Sequence, residues 1–297
     1  MRIDDIVNIT DAELVNSGYI TEILAFSDTL KKVKREYLFI SNDIEEIKEA
    51  ITKGAYAILF SKNLEIIDDE IAWIRVEDID EALLKLLKYK LLNKTLYTTD
   101  DITLQIIKSI NRDKRVAILD TIKAEFLNDD YIYITSIDKI KNISVNKIEL
   151  EDQIELTLLN TTIFLTEFIF NGKKYSLIFP SLYFKNLKKG ISFFEKLQLA
   201  YHLKDIKLNR FIPEFVNSRF EKVGFGRTQK VLILGLKKDN YLMDEISYIF
   251  EKVKYAKVKF YDKFNIDKIY NDDFNFAVLI DCDIELKEKK IEERSLF

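Results

Sequence analysis

The glycines carry most of the chemical information in this chain, through where they are missing. They stand at Gly18, Gly54, Gly172, Gly190, Gly224, Gly226 and Gly235. A phosphate-binding loop of the form G-x-x-x-x-G-K-[ST] needs glycines so that backbone N–H groups can converge on the phosphates. The one Gly-Lys pair is Gly172-Lys173, and Glu167 occupies the place of the first glycine. Gly224-Phe225-Gly226 begins a dinucleotide fingerprint, but Gln229 stands where its third glycine belongs. Neither phosphate-cradling motif is complete.

The other reactive side chains are equally sparse. His202 is the single histidine, with no G-x-S-x-G element to support a serine nucleophile and no neighbouring ligands at metal-binding spacing, so it is expected on the surface or partly packed. Cys282 is the single cysteine, which rules out an intrachain disulfide. It closes the apolar run Phe276–Asp281 and is expected to be a buried structural thiol. The acidic pairs Asp4-Asp5, Asp68-Asp69, Asp100-Asp101, Asp129-Asp130 and Asp272-Asp273 could chelate a cation. Most precede helices or sit in turns, where a carboxylate caps N–H groups, and that role is expected. No metal, no cofactor and no catalytic residue is assigned.

The elements that must position these residues alternate strand and helix. Tyr37–Ile40, Tyr56–Phe60 and Ala72–Val76 read as strands, with a helix over 43–53 started by Asp43 and stopped by Gly54, and an amphipathic helix over 79–92. Further strands are predicted at 95–98, 116–119 and 131–134, with a helix over 101–110. Asn171-Gly172 between two β-rich runs predicts a hairpin, because both residues tolerate positive φ. A long helix is predicted from 183 to 203. The last part reads strand 230–234, helix 241–254 and strands 257–261 and 276–281, a small Rossmann-like sheet, with Glu285–Arg294 as a terminal helix or frayed tail.

Composition sets the outer bounds. The 297 residues are 47% hydrophobic and 32% charged, with 21 Phe and 15 Tyr, which supports a real core and excludes disorder as the main state. The net charge of −4 is interleaved along the chain, without the basic stripe of a nucleic-acid groove. There is neither a signal-peptide pattern at the start nor a run of about 18 apolar residues. A cytoplasmic protein without nucleic-acid binding or membrane insertion is expected.

Three segments, in order, resemble the Mur ligases. Ser27-Asp-Thr-Leu-Lys-Lys-Val-Lys-Arg-Glu-Tyr-Leu-Phe-Ile40 is similar to their Asp-Ser/Thr-Arg element and the strand after it. Glu46–Phe60 resembles the family's helix, Gly-Ala turn and next strand, and Arg75–Leu83 its lead into the linker helix. The MurF subfamily, which adds D-alanyl-D-alanine to a UDP-linked muramoyl tripeptide, is nearest. Weaker likenesses follow: Leu96–Gln105 lies where the family has T-G-[ST]-x-G-K-T. The stretch Ser181–Lys188 matches the family's Gly-x-His-x-x-x-Asn-Ala element without the histidine, and Phe211–Glu221 resembles its exit from the ATPase domain, with Arg219 in the arginine's place.

The resemblance implies an α/β fold in three parts. These are a MurF-like N-terminal α/β domain (1–92), a reduced P-loop-ATPase-like middle domain (93–227) and a small Rossmann-like C-terminal domain (228–297). It also implies a UDP-sugar contact at Ser27, Asp28 and Thr29; Leu30 replaces the family's arginine, leaving Lys31 or Lys32 to stand in without a guanidinium fork. Arg219 is implied as an interdomain residue.

Mur ligases form an acyl phosphate from ATP, which requires a phosphate cradle, a lysine and Mg²⁺. Without the loop, the leading expectation is a non-catalytic pseudoenzyme that binds a protein partner, such as a peptidoglycan-synthesis enzyme or a cell-shape factor. That reading expects an exposed apolar patch where the ATP cleft has collapsed. The alternatives are a UDP-muramoyl-peptide-binding protein or sensor, and an enzyme with an unrecognised site.

Overall fold

The computed structural model describes residues 1–204 and 206–286. The chain divides into two compact units, one of 1–104 with 113–150, the other of 105–112 with the described residues from 151 onward. The boundaries expected at 92/93 and 227/228 therefore fall inside units rather than between them.

The first unit opens with helix α1 (Ile3–Thr10) and strands β1 (Glu13–Asn16), β2 (Ala25–Ser27) and β3 (Tyr37–Ile40). Helix α2 (Ile44–Thr52), strands β4 (Ala57–Phe60) and β5 (Ala72–Arg75) and helix α3 (Ile79–Lys90) follow. The sheet order is β1-β5-β4-β3-β2, with β2 to β5 parallel and β1 antiparallel at one edge. Strands β3 and β4 carry no charged residue because both faces are covered. Leu38, Ile40, Leu59 and Ile74 face the core shared with α1 and α3, whereas Phe39, Ile58, Phe60 and Trp73 pack with Ile47 and Ala50 of α2. Asp43 caps α2 by accepting from the N–H groups of Glu45 and Glu46.

A second sheet in the same unit contains β6 (Leu96–Thr98), β7 (Val116–Ile118), β8 (Ile132–Thr135) and β9 (Lys147–Glu149) in the order β7-β8-β6-β9, all parallel. Helix α4 (Asp101–Ile110) follows β6 and the short α5 (Asp138–Lys141) follows β8. Leu83, Leu87, Leu96, Ala117, Tyr133 and Ile140 belong to one continuous core. A boundary at 92/93 would have to cut through this core, which is why the two sheets form one unit.

The second unit contains an antiparallel sheet of β10 (Thr157–Thr161), β11 (Leu165–Phe170) and β12 (Lys173–Ile178), then α6 (Phe184–Lys196). The hairpin forms at Asn171-Gly172, with φ of 47° and 74°. The helix expected to reach 203 ends at Lys196: Gln198 turns into the left-handed region at φ 51°, and Tyr201 bridges to Asn111. Leu199 and Leu203 are buried, so the apolar spacing that extended the predicted helix belongs to an irregular segment.

Strands β13 (Ile212–Phe215), β14 (Val231–Leu236), β15 (Val258–Tyr261) and β16 (Phe276–Ile280), with α7 (Leu242–Lys252), complete the unit in the order β13-β14-β16-β15. The parallel core β14-β16-β15 is the expected Rossmann-like sheet, and β13 adds an antiparallel edge. The predicted tail element over 285–294 lies outside the described residues from 287 onward. No helix among the described residues is long and apolar enough to cross a membrane.

Candidate functional site

The segment Leu96–Gln105 is where the sequence resemblance leads one to look for a phosphate loop. Strand β6 ends at Thr98 and α4 starts at Asp101, so only Thr99 and Asp100 connect them. The Asp100 carboxylate caps the helix: Oδ1 accepts from Thr103 N–H at 2.9 Å and Oδ2 from the Thr103 hydroxyl at 2.8 Å. A helix N-terminus attracts anions through its free N–H groups and dipole, and here the chain supplies its own anion. The buried Thr99 hydroxyl has no hydrogen-bond partner among the described residues.

Ser27, Asp28, Thr29 and Lys31 lie at the end of β2 and in the turn after it. The Ser27 side chain is buried and closes a local turn, donating to Thr29 O at 2.9 Å and accepting from Thr29 N–H at 3.2 Å. Asp28 Oδ1 accepts from the Thr29 hydroxyl, and its Oδ2 accepts from Ala124 N–H at 3.0 Å. Lys32, beside the exposed Lys31, pairs with Glu125, whose hydrogen bond raises the lysine pKa.

Three residues after Glu125, Asn128 makes a side-chain substitute for another strand on the β2 edge. Its Oδ1 accepts from Phe26 N–H at 2.7 Å and its Nδ2 donates to Phe26 O at 2.9 Å. The turn after β2 is thus docked against residues 124–128 of its own unit. Sequence reasoning missed this contact, because the partners are 96 and 102 residues apart.

Arg219 sits in a tight turn of the second unit, where its N–H donates to Asn217 Oδ1 at 2.9 Å. A different arginine forms the buried network of this unit. Arg210 is 6% exposed and donates to both oxygens of Glu245, at 2.6 and 2.8 Å, and to both oxygens of Asp239, at 2.8 and 3.1 Å. Tyr183 donates to the same Glu245, and the Tyr241 ring lies 4.8 Å from the guanidinium carbon. Burial opposes the Arg210 charge, and the hydrogen bonds with Glu245 and Asp239 outweigh it and raise the pKa. The same bonds hold Asp239 below the ordinary carboxylate range. Nothing in the spacing of these residues marks them in the sequence.

The acidic pairs act largely locally. Asp4 and Asp5 stand in the first turn of α1, Asp130 pairs with Lys90 and Lys94, and Asp272 and Asp273 pair with Lys259 and Lys257. No cluster of three or more metal-ligating side chains is found among the described residues. Cys282 is only half-buried, its Sγ 3.6 Å from Tyr261 O, and burial raises its pKa.

His202 is exposed and lines a basic hollow of about 590 Å³ with Arg112, Lys204 and Lys207. The two lysines also border a largely apolar groove of about 650 Å³, whose walls include Leu177, Ile178, Leu208 and Ile212. This groove draws no residue from 96–105, so the apolar patch is not where the ATP loop was expected.

No protein-family model and no curated protein matches the chain. Among solved structures, the chain is similar in fold to Mur ligases. One is MurF ligase from Thermotoga maritima in complex with ADP, at 12% identity and a TM-score of 0.44, over 86% of this chain and 93% of that one. Another is MurF from Acinetobacter baumannii, at 10% identity and 0.45, over 88% and 78%. A third is the Acinetobacter baumannii UDP-N-acetylmuramoylalanyl-D-glutamyl-2,6-diaminopimelate–D-alanyl-D-alanyl ligase, at 9% identity and 0.47, over 94% of both chains.

Proposed function

We propose that the chain is a non-catalytic Mur-ligase-like protein of the cytoplasm that acts by binding a protein partner in peptidoglycan-precursor synthesis or cell shape. The observation that carries this reading is the closed connection between β6 and α4. Two residues span it, and the Asp100 carboxylate already occupies the helix N-terminus. A phosphate brought within about 4 Å of that carboxylate would be repelled by about 4 kcal/mol per unit charge at an effective dielectric of about 20. Acyl-phosphate chemistry needs the opposite, a cradle of donors with a lysine. The link to muramoyl chemistry rests on the sequence resemblance of residues 27–83. Engagement of Asp28 with Ala124 and of Lys32 with Glu125 counts against a free uridine site in the same region.

Isothermal titration of the full chain with Mg²⁺–ATP, and separately with UDP-N-acetylmuramoyl tripeptide, tests the reading. Silence with both is expected. Heat with ATP overturns the non-catalytic reading, and heat with the muramoyl ligand alone replaces the partner-binding role with that of a precursor sensor.

A further inference from the structure

The groove of the second unit is bordered by two sheet edges. Among the described residues, strand β12 pairs only with β11, and β13 only with β14. The two-residue turn at Asn171-Gly172 makes Phe170–Lys173 the first hydrogen-bonded pair of the hairpin. Antiparallel pairs alternate from there, so Lys174, Ser176 and Ile178 direct their N–H and C=O groups away from β11. Ser176 and Ile178 line the groove, and no described residue supplies a partner to their outward backbone groups. Edge strands are commonly guarded by charge or proline. On β12 the guard stops at Lys173 and Lys174, and Ile178 beyond it is 56% exposed. On β13 the edge carries Pro213, which has no N–H to offer.

The rest of the lining is chemically different. Ile206 and Leu208 are apolar, while Lys204 and Lys207 face both the groove and the basic hollow that holds Arg112 and His202. Neither lysine forms an ion pair with a described residue, and Asp205, next to Lys204 in sequence, lies outside the described residues. The groove thus combines a free row of backbone donors and acceptors, apolar walls and a cationic rim, in a volume of about 650 Å³.

We infer that the groove takes an extended acidic segment of a partner protein, added as a strand to β12. Backbone pairing to Ser176 and Ile178 supplies the direction, alternate apolar side chains fill the walls, and Asp or Glu side chains meet Lys204 and Lys207. An acyl chain would leave the backbone groups unused, which favours a peptide. The inference rests on the partner-binding reading and gives it a site and a ligand class.

The test pans a phage-displayed library of random heptapeptides against the full chain, then titrates the fluorescein-labelled form of the most enriched peptide by anisotropy. Enriched sequences are expected to alternate apolar and acidic residues, and the peptide is expected to slow amide exchange at 174, 176 and 178. Ser176→Pro removes one outward N–H without touching the β11 ladder and weakens binding about three- to tenfold. Lys204→Glu with Lys207→Glu, a surface change that preserves the fold if the proline variant does not, weakens it about tenfold. An unenriched library, or binding indifferent to both changes, overturns the groove assignment. So does a concentration-dependent dimer abolished by Ser176→Pro, which would identify a second copy as the occupant. Each of these leaves the ATP titration silent, whereas ATP binding removes the parent reading.

Discussion

Replacing Arg210 by Met removes the cation of a buried polar network in the second unit. Glu245 is fully buried, and Arg210 supplies two of its hydrogen bonds. Met fills much of the side-chain volume, so the loss is electrostatic rather than a cavity. Breaking a buried pair by removing one partner costs about 3–5 kcal/mol, because the remaining charge stays desolvated and unpaired. With an m-value of about 2 kcal/mol per molar urea, a 4 kcal/mol loss moves the midpoint of the second unit by about 2 M. Urea unfolding followed by Trp73 fluorescence would report the first unit, so far-ultraviolet circular dichroism of the whole chain is the assay, fitted to two transitions. Only one transition should move. Adding Glu245→Leu to Arg210→Met should recover at least half of the loss, since an apolar replacement of the pair removes the stranded charge. A shift below about 0.3 M, or a double variant weaker than the single one, would refute the view that Glu245 depends on Arg210.

The remaining predictions concern docking and pH. Asn128→Ala leaves Phe26 N–H and C=O without their partners, and is expected to cost about 1–3 kcal/mol in the first unit by urea unfolding. Asn128→Asp should be no better, since its carboxylate cannot donate to Phe26 O. Asp239 has a folded pKa below its ordinary value, so its contribution is fully present above about pH 4 and is lost as pH falls through the folded pKa. The urea midpoint of the second unit should therefore drop between pH 5 and pH 2.5, and Asp239→Asn should flatten part of that drop. Equal slopes in the two proteins would exclude Asp239 as a contributor.

What could be read from the sequence was governed by short-range physics. The hairpin at Asn171-Gly172 follows from which residues tolerate positive φ, and both residues adopt it. The Asp43 cap of α2 follows from a carboxylate placed before an amphipathic run. The incompleteness of the G-x-x-x-x-G-K-[ST] motif is read directly from glycine spacing. The helix predicted to reach 203 failed for the complementary reason: apolar spacing reports burial, and Leu199 and Leu203 are buried from an irregular segment.

Only the tertiary structure decided the rest. Asp28 meets Ala124 across 96 residues, and Arg210 meets Asp239 and Glu245 across 29 and 35, contacts that depend on strand order rather than on local propensity. The same holds for the groove. Whether β12 has a neighbour on its outer side, and whether Lys204 and Lys207 have carboxylates to pair with, are questions of topology that periodicity cannot answer. The sequence by itself determined which phosphate-binding motifs are incomplete, because a motif depends on residue identity and spacing. The fold decided which surfaces remain open, because an edge or an unpaired charge exists only after every other element has found its partner.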